Sequence, residues 1–395
     1  MLSNYLKIAW RNLARKKTFS LINIAGLSVG LAAFILIMLW VKNEMSYDGF
    51  HQDKHRIGAV MLNQTYANNE KATFPATPPL LAAAMQKDLA GVEYATCTSW
   101  GDVRLFTKGD KYFSEYGLYV DPEFLRVFSF PLVKGRAGKL LTEPNTVLIT
   151  EKLAAKYFGD ENPIGQTIMI ENTRPYKVEG VLRDVPSHAT LSFDFLMPLK
   201  DYIDWAMGGK TTWDQFNTRT YVKLKEGVDR AAFDKGLLKF LNNYTPEKNK
   251  SEMFVWDLKD WYLRFDFKNG KYNGGGRIAY VRLLIIIACF ILLLACINFM
   301  NLSTARATQR AREVGVKKVL GAARKNLVAQ FIGESVLLSM LSAAIALLIV
   351  ILVLPAFNAF LGKTIAIDYT DGVSICVFAG IVLITGVLAG SYPAW

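Results

Sequence analysis

Four stretches of the chain run for 23 residues or more without a charged side chain: Thr18–Val41, Leu283–Ala305, Ser335–Gly362 and Gly372–Trp395. A helix rises about 1.5 Å per residue, so roughly 20 residues cross the hydrocarbon layer of a bilayer. All four stretches are long enough, and "LLIIIACFILLLACI" (Leu283–Ile297) is the purest. A large buried core helix is the competing reading, most of all for the glycine-bearing fourth. The pattern changes between the first two stretches. There "TVLIT", "QTIMI", "YKVEGVL" and "TYVKLK" are short, β-branched or aromatic, and bounded by turn formers, which predicts strands. Helices are predicted where a cap precedes an apolar run. Thr77 and Pro78 open "TPPLLAAAMQKDL", Asp121 and Pro122 open "DPEFLRVFSF", and Thr150 opens "TEKLAAKYFG", which Gly159 stops. The glycine-rich "NGKYNGGGRIAY" (Asn269–Tyr280) reads as a hinge into the second apolar run.

The pattern predicts an α-helical membrane protein with four transmembrane helices plus a mixed α+β extracytoplasmic domain, one or two lobes in extent. Its divisions are spans at 18–41, 283–305, 331–354 and 372–392, an α+β domain over 42–282, a loop over 306–330 and a short connection over 355–371. Before the first span, 1–17 reads as an amphipathic helix on the membrane surface. Leu6, Trp10 and Leu13 gather on one face, and Lys7, Arg11 and Arg15 form a stripe at i, i+4, i+8 suited to lipid headgroups. A disordered basic tail is the alternative. The first apolar run is too long for a signal peptide and reads as a retained anchor.

Charge then sets the orientation. The net charge is +12, and nearly all of it lies in residues 1–19 and 304–329. The second segment carries Arg306, Arg310, Arg312, Lys317, Lys318, Arg324 and Lys325 against one acid, Glu313. Basic clusters flanking apolar spans follow the positive-inside rule, so both segments are expected in the cytoplasm and nucleic acid is not an expected partner. The domain then lies outside, and the chain is a multi-pass protein of the cell inner membrane with a cytoplasmic N-terminus.

The usual chemistry finds little support. Cys97 is the one cysteine of the domain and Cys289, Cys296 and Cys376 fall in spans, so no disulfide within the domain is expected. "GGKTT" (Gly208–Thr212) ends like a phosphate loop, but Asp204 stands where the earlier glycine belongs. His51 and His55 of "HQDKH" would share a helix face, yet a polar stretch of this kind reads as solvated. No catalytic residue and no metal site is expected. The four apolar stretches hold no charged residue, which argues against an ion or proton path. "GVLAG" (Gly386–Gly390) is a small-xxx-small face for close helix packing. In the basic loop, Val316, Val319 and Leu320 fall on one side of a helix and Glu313 pairs with Lys317. Seven cations exceed what anchoring needs, and apolar residues at helical spacing make the loop a docking surface for a cytoplasmic partner.

"AREVGVKKVLGAARKNLVAQFIGES" strongly resembles the loop and third span of FtsX/MacB-type ABC transporter permeases. "VDPEFLRVFSFPLVKG" and "TVLITEKLAAKYFGDENPIGQTI" resemble the MacB-like periplasmic core domain, and "LKIAWRNLARKKTFSLINIAGLSVGLA" the family's N-terminus. The likeness implies that Arg312, Glu313, Gly315, Lys317, Lys318 and Gly321 contact a separate cytoplasmic ABC ATPase. ATP and magnesium would belong to that ATPase, so this chain would carry no cofactor and no enzymatic activity of its own. It places Glu334 at the start of the third span, where a carboxylate suits a helix N-terminus. It implies efflux of a peptide, antibiotic or other amphipathic molecule. The alternatives are FtsX-like or lipoprotein-release-like mechanotransmission to a cell-wall hydrolase or a lipoprotein, or, from another class, a non-transporting membrane receptor. A periplasmic adaptor or substrate protein would be a further partner. The chain stops at "GSYPAW" without a following cationic segment, as the first half of a tandem permease would, or as a unit that homodimerises.

Overall fold

The computed structural model describes residues 17–136, 138, 140–245, 251–309, 316, 319 and 324–394. The chain divides into two compact units, one of Met1–Glu44 with Tyr280–Trp395 and one of Met45–Ala279.

The first unit is built from long helices over Lys17–Met45, Arg277–Gln309, Arg324–Leu361 and Gly372–Ala394. Three are long and apolar enough to cross a membrane (Leu21–Met45, Arg277–Leu302 and Leu327–Leu361), and the fourth is apolar over Gly372–Leu388. The third continues through Pro355 to Leu361, so helix covers part of the connection expected from residue 355. Proline deprives such a helix of one N–H, which neighbouring groups in a bundle make tolerable. Gly362, at φ +62°, ends it.

The second unit is an α+β domain on a twelve-stranded sheet. Its strands are β1 (Ile57–Thr65), β2 (Lys71–Phe74), β3 (Val92–Thr98), β4 (Asp102–Lys108), β5 (Lys111–Val120), β6 (Leu132–Gly135), β7 (Thr146–Thr150), β8 (Thr167–Ile170), β9 (Arg174–Leu182), β10 (Phe195–Pro198), β11 (Arg219–Leu224) and β12 (Ser251–Asp257). Strand β10 pairs antiparallel with β7 and parallel with β5, which closes β10–β7–β9–β8–β4–β5 into a ring. The other lobe is the antiparallel run β3–β11–β1–β12. The lobes join where β3 meets β5 at Thr98 and Val120. Residues alternate between two cores. Val60 and Leu62 of β1, Val147 and Ile149 of β7, and Phe195 and Met197 of β10 face one core; Met61, Leu148 and Leu196 face the other. The free edge of β12 is blocked against further pairing: Asp234 accepts the Val255 N–H at 3.2 Å, and the Leu238 carbonyl accepts the Met253 N–H at 3.1 Å.

The capping arguments hold in full in one of three places. Thr150 caps the helix Glu151–Phe158 by accepting the Leu153 N–H, and Gly159 stops it at φ +60°. Asp121 accepts the Glu123 N–H at 3.0 Å, just before the short helix Phe124–Val127. Thr77 caps nothing: its hydroxyl and backbone bond Thr218 and Thr220, and the helix starts at Leu81. Nor is the glycine-rich segment a loose hinge. Phe267–Lys268 and Lys271–Tyr272 form a hairpin, Gly274 and Gly276 take φ of +84° and +94°, and the Ile278 N–H bonds the Leu263 carbonyl at 2.9 Å. A Cβ on Gly276 would lie 2.8 Å from that carbonyl, so the glycines serve tight turns rather than freedom.

Candidate functional site

Residues Arg312, Glu313, Gly315, Lys317, Lys318 and Gly321, and the membrane-surface set Leu6, Lys7, Trp10, Arg11, Leu13 and Arg15, lie outside the described residues. Inside the basic segment, Val316 and Val319 are helical, with side chains 60% and 89% exposed. Three residues apart, they present apolar surface on one side. Glu334 is not at a helix start. The helix is already formed at Arg324, and Glu334 accepts from the Gln330 side chain one turn back, at 3.3 Å.

The bundle is joined by close backbone approach and buried polar contacts, the means left to helices in a solvent as apolar as themselves. A Cβ on Gly30 would lie 2.5 Å from Ala295 Cβ, which places the crossing of the first and second helices there. Gly386, singled out in the small-residue face, meets the Val336 backbone at the crossing of the third and fourth, where a Cβ would come within 2.7 Å. Ser28 donates to the Ser342 carbonyl at 3.0 Å and Ser339 to the Val382 carbonyl at 2.8 Å. These bonds tie the first helix to the third and the third to the fourth.

At the end of the first helix that leads into the domain, Lys42 Nζ lies 2.6 Å from Asp371 and 3.2 Å from Ser374 Oγ, and Glu44 pairs with Lys363. Within the second unit, contacts gather near where its chain enters and leaves. Tyr47, two residues past the first helix, stacks on Tyr262 with ring centroids 3.4 Å apart, and the Arg277 guanidinium lies 4.6 Å over the same ring. Asp48, buried at φ +57°, accepts the Thr190 N–H at 2.8 Å and the Thr190 hydroxyl, while its own N–H bonds the His188 carbonyl. His51 is 3% exposed rather than solvated. Its Nδ1 accepts the Ser129 N–H at 3.1 Å among Phe50, Phe128 and Phe130, and burial lowers its pKa to about 4. His55 lies in a turn and His51 outside any helix, so the two share no helix face. These base contacts carried no motif; an aromatic-rich stretch just beyond a span was the only signal.

Two further readings resolve inside the domain. Gly208 and Gly209 form a turn at φ +63° and +74° after the helix Leu199–Ala206, not a phosphate loop after a strand. Asp121 fastens the seam between the lobes: its carboxylate accepts the Cys97 N–H at 2.6 Å and the Thr96 hydroxyl at 2.9 Å. Burial raises its pKa to about 6 against these bonds. Cys97 is 1% exposed and burial pushes its thiol up to about 12.

The two units define a membrane protein of several long helices that carries an α+β domain between its first two. The chain belongs to the MacB-like periplasmic core domain family, which residues 20–239 match, and residues 285–395 match the FtsX-like permease C-terminal family. It is an ABC transporter permease of the FtsX/MacB type. The macrolide export ATP-binding/permease protein MacB of Mannheimia succiniciproducens is 24% identical over 280 residues, 70% of this chain and 40% of that protein. MacB of Escherichia coli strain 536 is 24% identical over 409 residues, 98% of this chain and 58% of that one. The chain thus spans about two fifths to three fifths of the length of these relatives. A domain of a permease protein from Porphyromonas gingivalis matches with TM-score 0.46 at 21% identity, over 59% of this chain and 98% of that one. The periplasmic region of MacB from Actinobacillus actinomycetemcomitans matches with TM-score 0.40 at 19% identity, over 53% and 94%.

Proposed function

We propose that this permease couples ATP hydrolysis by a separate cytoplasmic ABC ATPase to motion of its core domain, and that the motion drives efflux of a peptide, antibiotic or other amphipathic molecule. In this reading the N-terminus and residues 306–330 face the cytoplasm of an inner membrane, and the core domain faces the periplasm. The observation that carries it is mechanical. The first helix runs unbroken from Lys17 to Met45, and Tyr47 is then clamped to Tyr262 and Arg277, beside the start of the second helix. Tyr47, just past the first helix, and Arg277, where the second begins, thus meet on the Tyr262 ring, and in this reading the two chain connections move together. Val316 and Val319 support docking, since apolar side chains held in the open on a basic segment suit a protein surface. The relatives are macrolide export proteins by name, which supports the efflux arm.

The test is co-purification of the cognate ATPase and its permease-stimulated hydrolysis. Lys317→Glu with Lys318→Glu should weaken binding more than tenfold, because unpaired charge at a docked surface costs about 2–5 kcal/mol. Gly315→Val or Gly321→Val should uncouple hydrolysis while the charge stays. Arg306, Arg310, Arg324 and Lys325 still anchor the loop in both. Undiminished binding and hydrolysis in all of these variants would reduce the loop to a topological anchor and refute the docking.

A further inference from the structure

The connection between the third and fourth helices is short, but it is not slack. Gly362 turns the chain at φ +62°, and the Asn358 side chain then bonds Ile365 twice, its Nδ2 donating to the carbonyl at 2.8 Å and its Oδ1 accepting the N–H at 3.0 Å. Ile365 is 5% exposed and Ile367 packs against the bundle core. At the far end Asp371 accepts the Val373 and Ser374 N–H groups, at 3.1 and 3.3 Å, and so caps the fourth helix. The same carboxylate holds Lys42. One end of the connection thus carries an acid for the first helix, and the other end carries a base, Lys363, for Glu44.

Lys42 and Glu44 are two residues apart, so their side chains leave the helix about 200° from one another. The connection therefore grips opposite sides of the first helix. The two pairs have opposite polarity, Lys42 to an acid and Glu44 to a base. Turning the helix by about half a turn would set Lys42 against Lys363 and Glu44 against Asp371, like against like. Glu44 is 1% exposed, so its charge cannot turn to water when Lys363 leaves. Lys42, at 51%, can. One pair specifies and the other yields.

We propose that Gly362–Asp371 is a latch on the first helix: it fixes the rotation and height of the helix that leads into the core domain, and it releases when that helix moves. The proposal rests on the mechanical reading above and goes beyond it in naming the restraint that the ATPase must overcome. The test is hydrogen exchange of the full chain in nanodiscs, read at the amides of 40–45 and 362–374. Glu44→Gln and Lys363→Met should each raise exchange there by about tenfold. The swap Glu44→Lys with Lys363→Glu should bring it back to within about threefold of the original. Asp371→Asn, which keeps an oxygen for the cap, should loosen the same amides, and core-domain amides serve as the check that each variant is folded. Unchanged exchange in the folded single variants, or a swap as loose as they are, would overturn the latch. No ATPase is present, so failure here leaves the docking experiment untouched, and failure of docking leaves this one standing.

Discussion

Replacing Gly30 with alanine adds one methyl group, and the structure places that methyl 2.5 Å from Ala295 Cβ and 3.9 Å from its Cα. Carbon atoms rest about 3.5–4.0 Å apart, so the first and second helices must part by about 1 Å at their crossing. Ala295 cannot give way, having no rotamer to change. Leu27 and Leu31 beside the crossing are fully buried, as is Phe299 on the other helix, so the parting loosens a packed neighbourhood. Overpacking of this kind costs about 1–3 kcal/mol. Gly26→Ala, one turn earlier, is the control: its methyl would meet Asn298 Nδ2 at 3.1 Å, the movable tip of a side chain, and should cost less than about 1 kcal/mol. Ala295→Gly returns the space. In a double-mutant cycle with Gly30→Ala it should show a favourable coupling of about 1–2 kcal/mol, whatever it costs alone. The assay is the unfolding midpoint in mixed detergent, followed by tryptophan fluorescence. Equal loss in Gly26→Ala and Gly30→Ala, or zero coupling with Ala295→Gly, would refute this placing of the crossing.

The remaining predictions use the same protein. His51 is held near pKa 4 by burial against 6.5 for a free histidine, so the unfolded chain takes up its proton first; stability is full above pH 6.5 and falls as pH drops toward 4. The loss attributable to His51 is at most about 3 kcal/mol. Asp121, raised to about 6, works in the opposite direction between pH 6 and 4. The readout is therefore the difference between the original chain and His51→Phe, which should shift in favour of the variant as pH falls, and a pH-independent difference would sink the assignment. Cys97, buried, should resist a membrane-impermeant thiol reagent in the folded protein, whereas a cysteine at position 317 should label only after the membrane is permeabilised; labelling of 317 in intact cells reverses the orientation. Replacing Leu6, Trp10 and Leu13 with serine should free the N-terminal segment from the membrane and leave the core domain folded, and a probe at residue 10 that is already mobile in water in the unaltered chain would contradict the surface helix.

What the sequence made legible follows the range of the interactions. Thr150 and Gly159 act within one helix, and the runs TVLIT and TIMI need only their own pattern, so caps and strands of this kind are readable. Thr77 offers the same local signal and fails, because Thr218 and Thr220, more than 140 residues away, offer its hydroxyl partners that outweigh the cap. Closure of the ring depends on Phe195–Pro198 lying parallel to Gly117–Val120, a pairing no local pattern encodes. The glycines from 270 to 276 read as flexible, but positive φ at Gly270, Gly274 and Gly276 and the Asp266 carboxylate packed against Gly275 explain them. Of the site, the docking motif was legible as a motif, while the base of the domain was not. Tyr47 lies more than 200 residues before Tyr262 and Arg277 and meets them only through the fold.

The central claim is that the nucleotide state of a cytoplasmic ATPase reaches the base of the core domain. It is tested most directly by hydrogen exchange of the assembled complex in nanodiscs, at the amides around Tyr47 and from Trp261 to Ile278, without nucleotide and with a non-hydrolysable ATP analogue. The account predicts that ATP binding changes exchange at both connections together by several-fold, and that the change disappears in Lys317→Glu with Lys318→Glu. Identical exchange in the two nucleotide states, with the ATPase bound and competent, would contradict it.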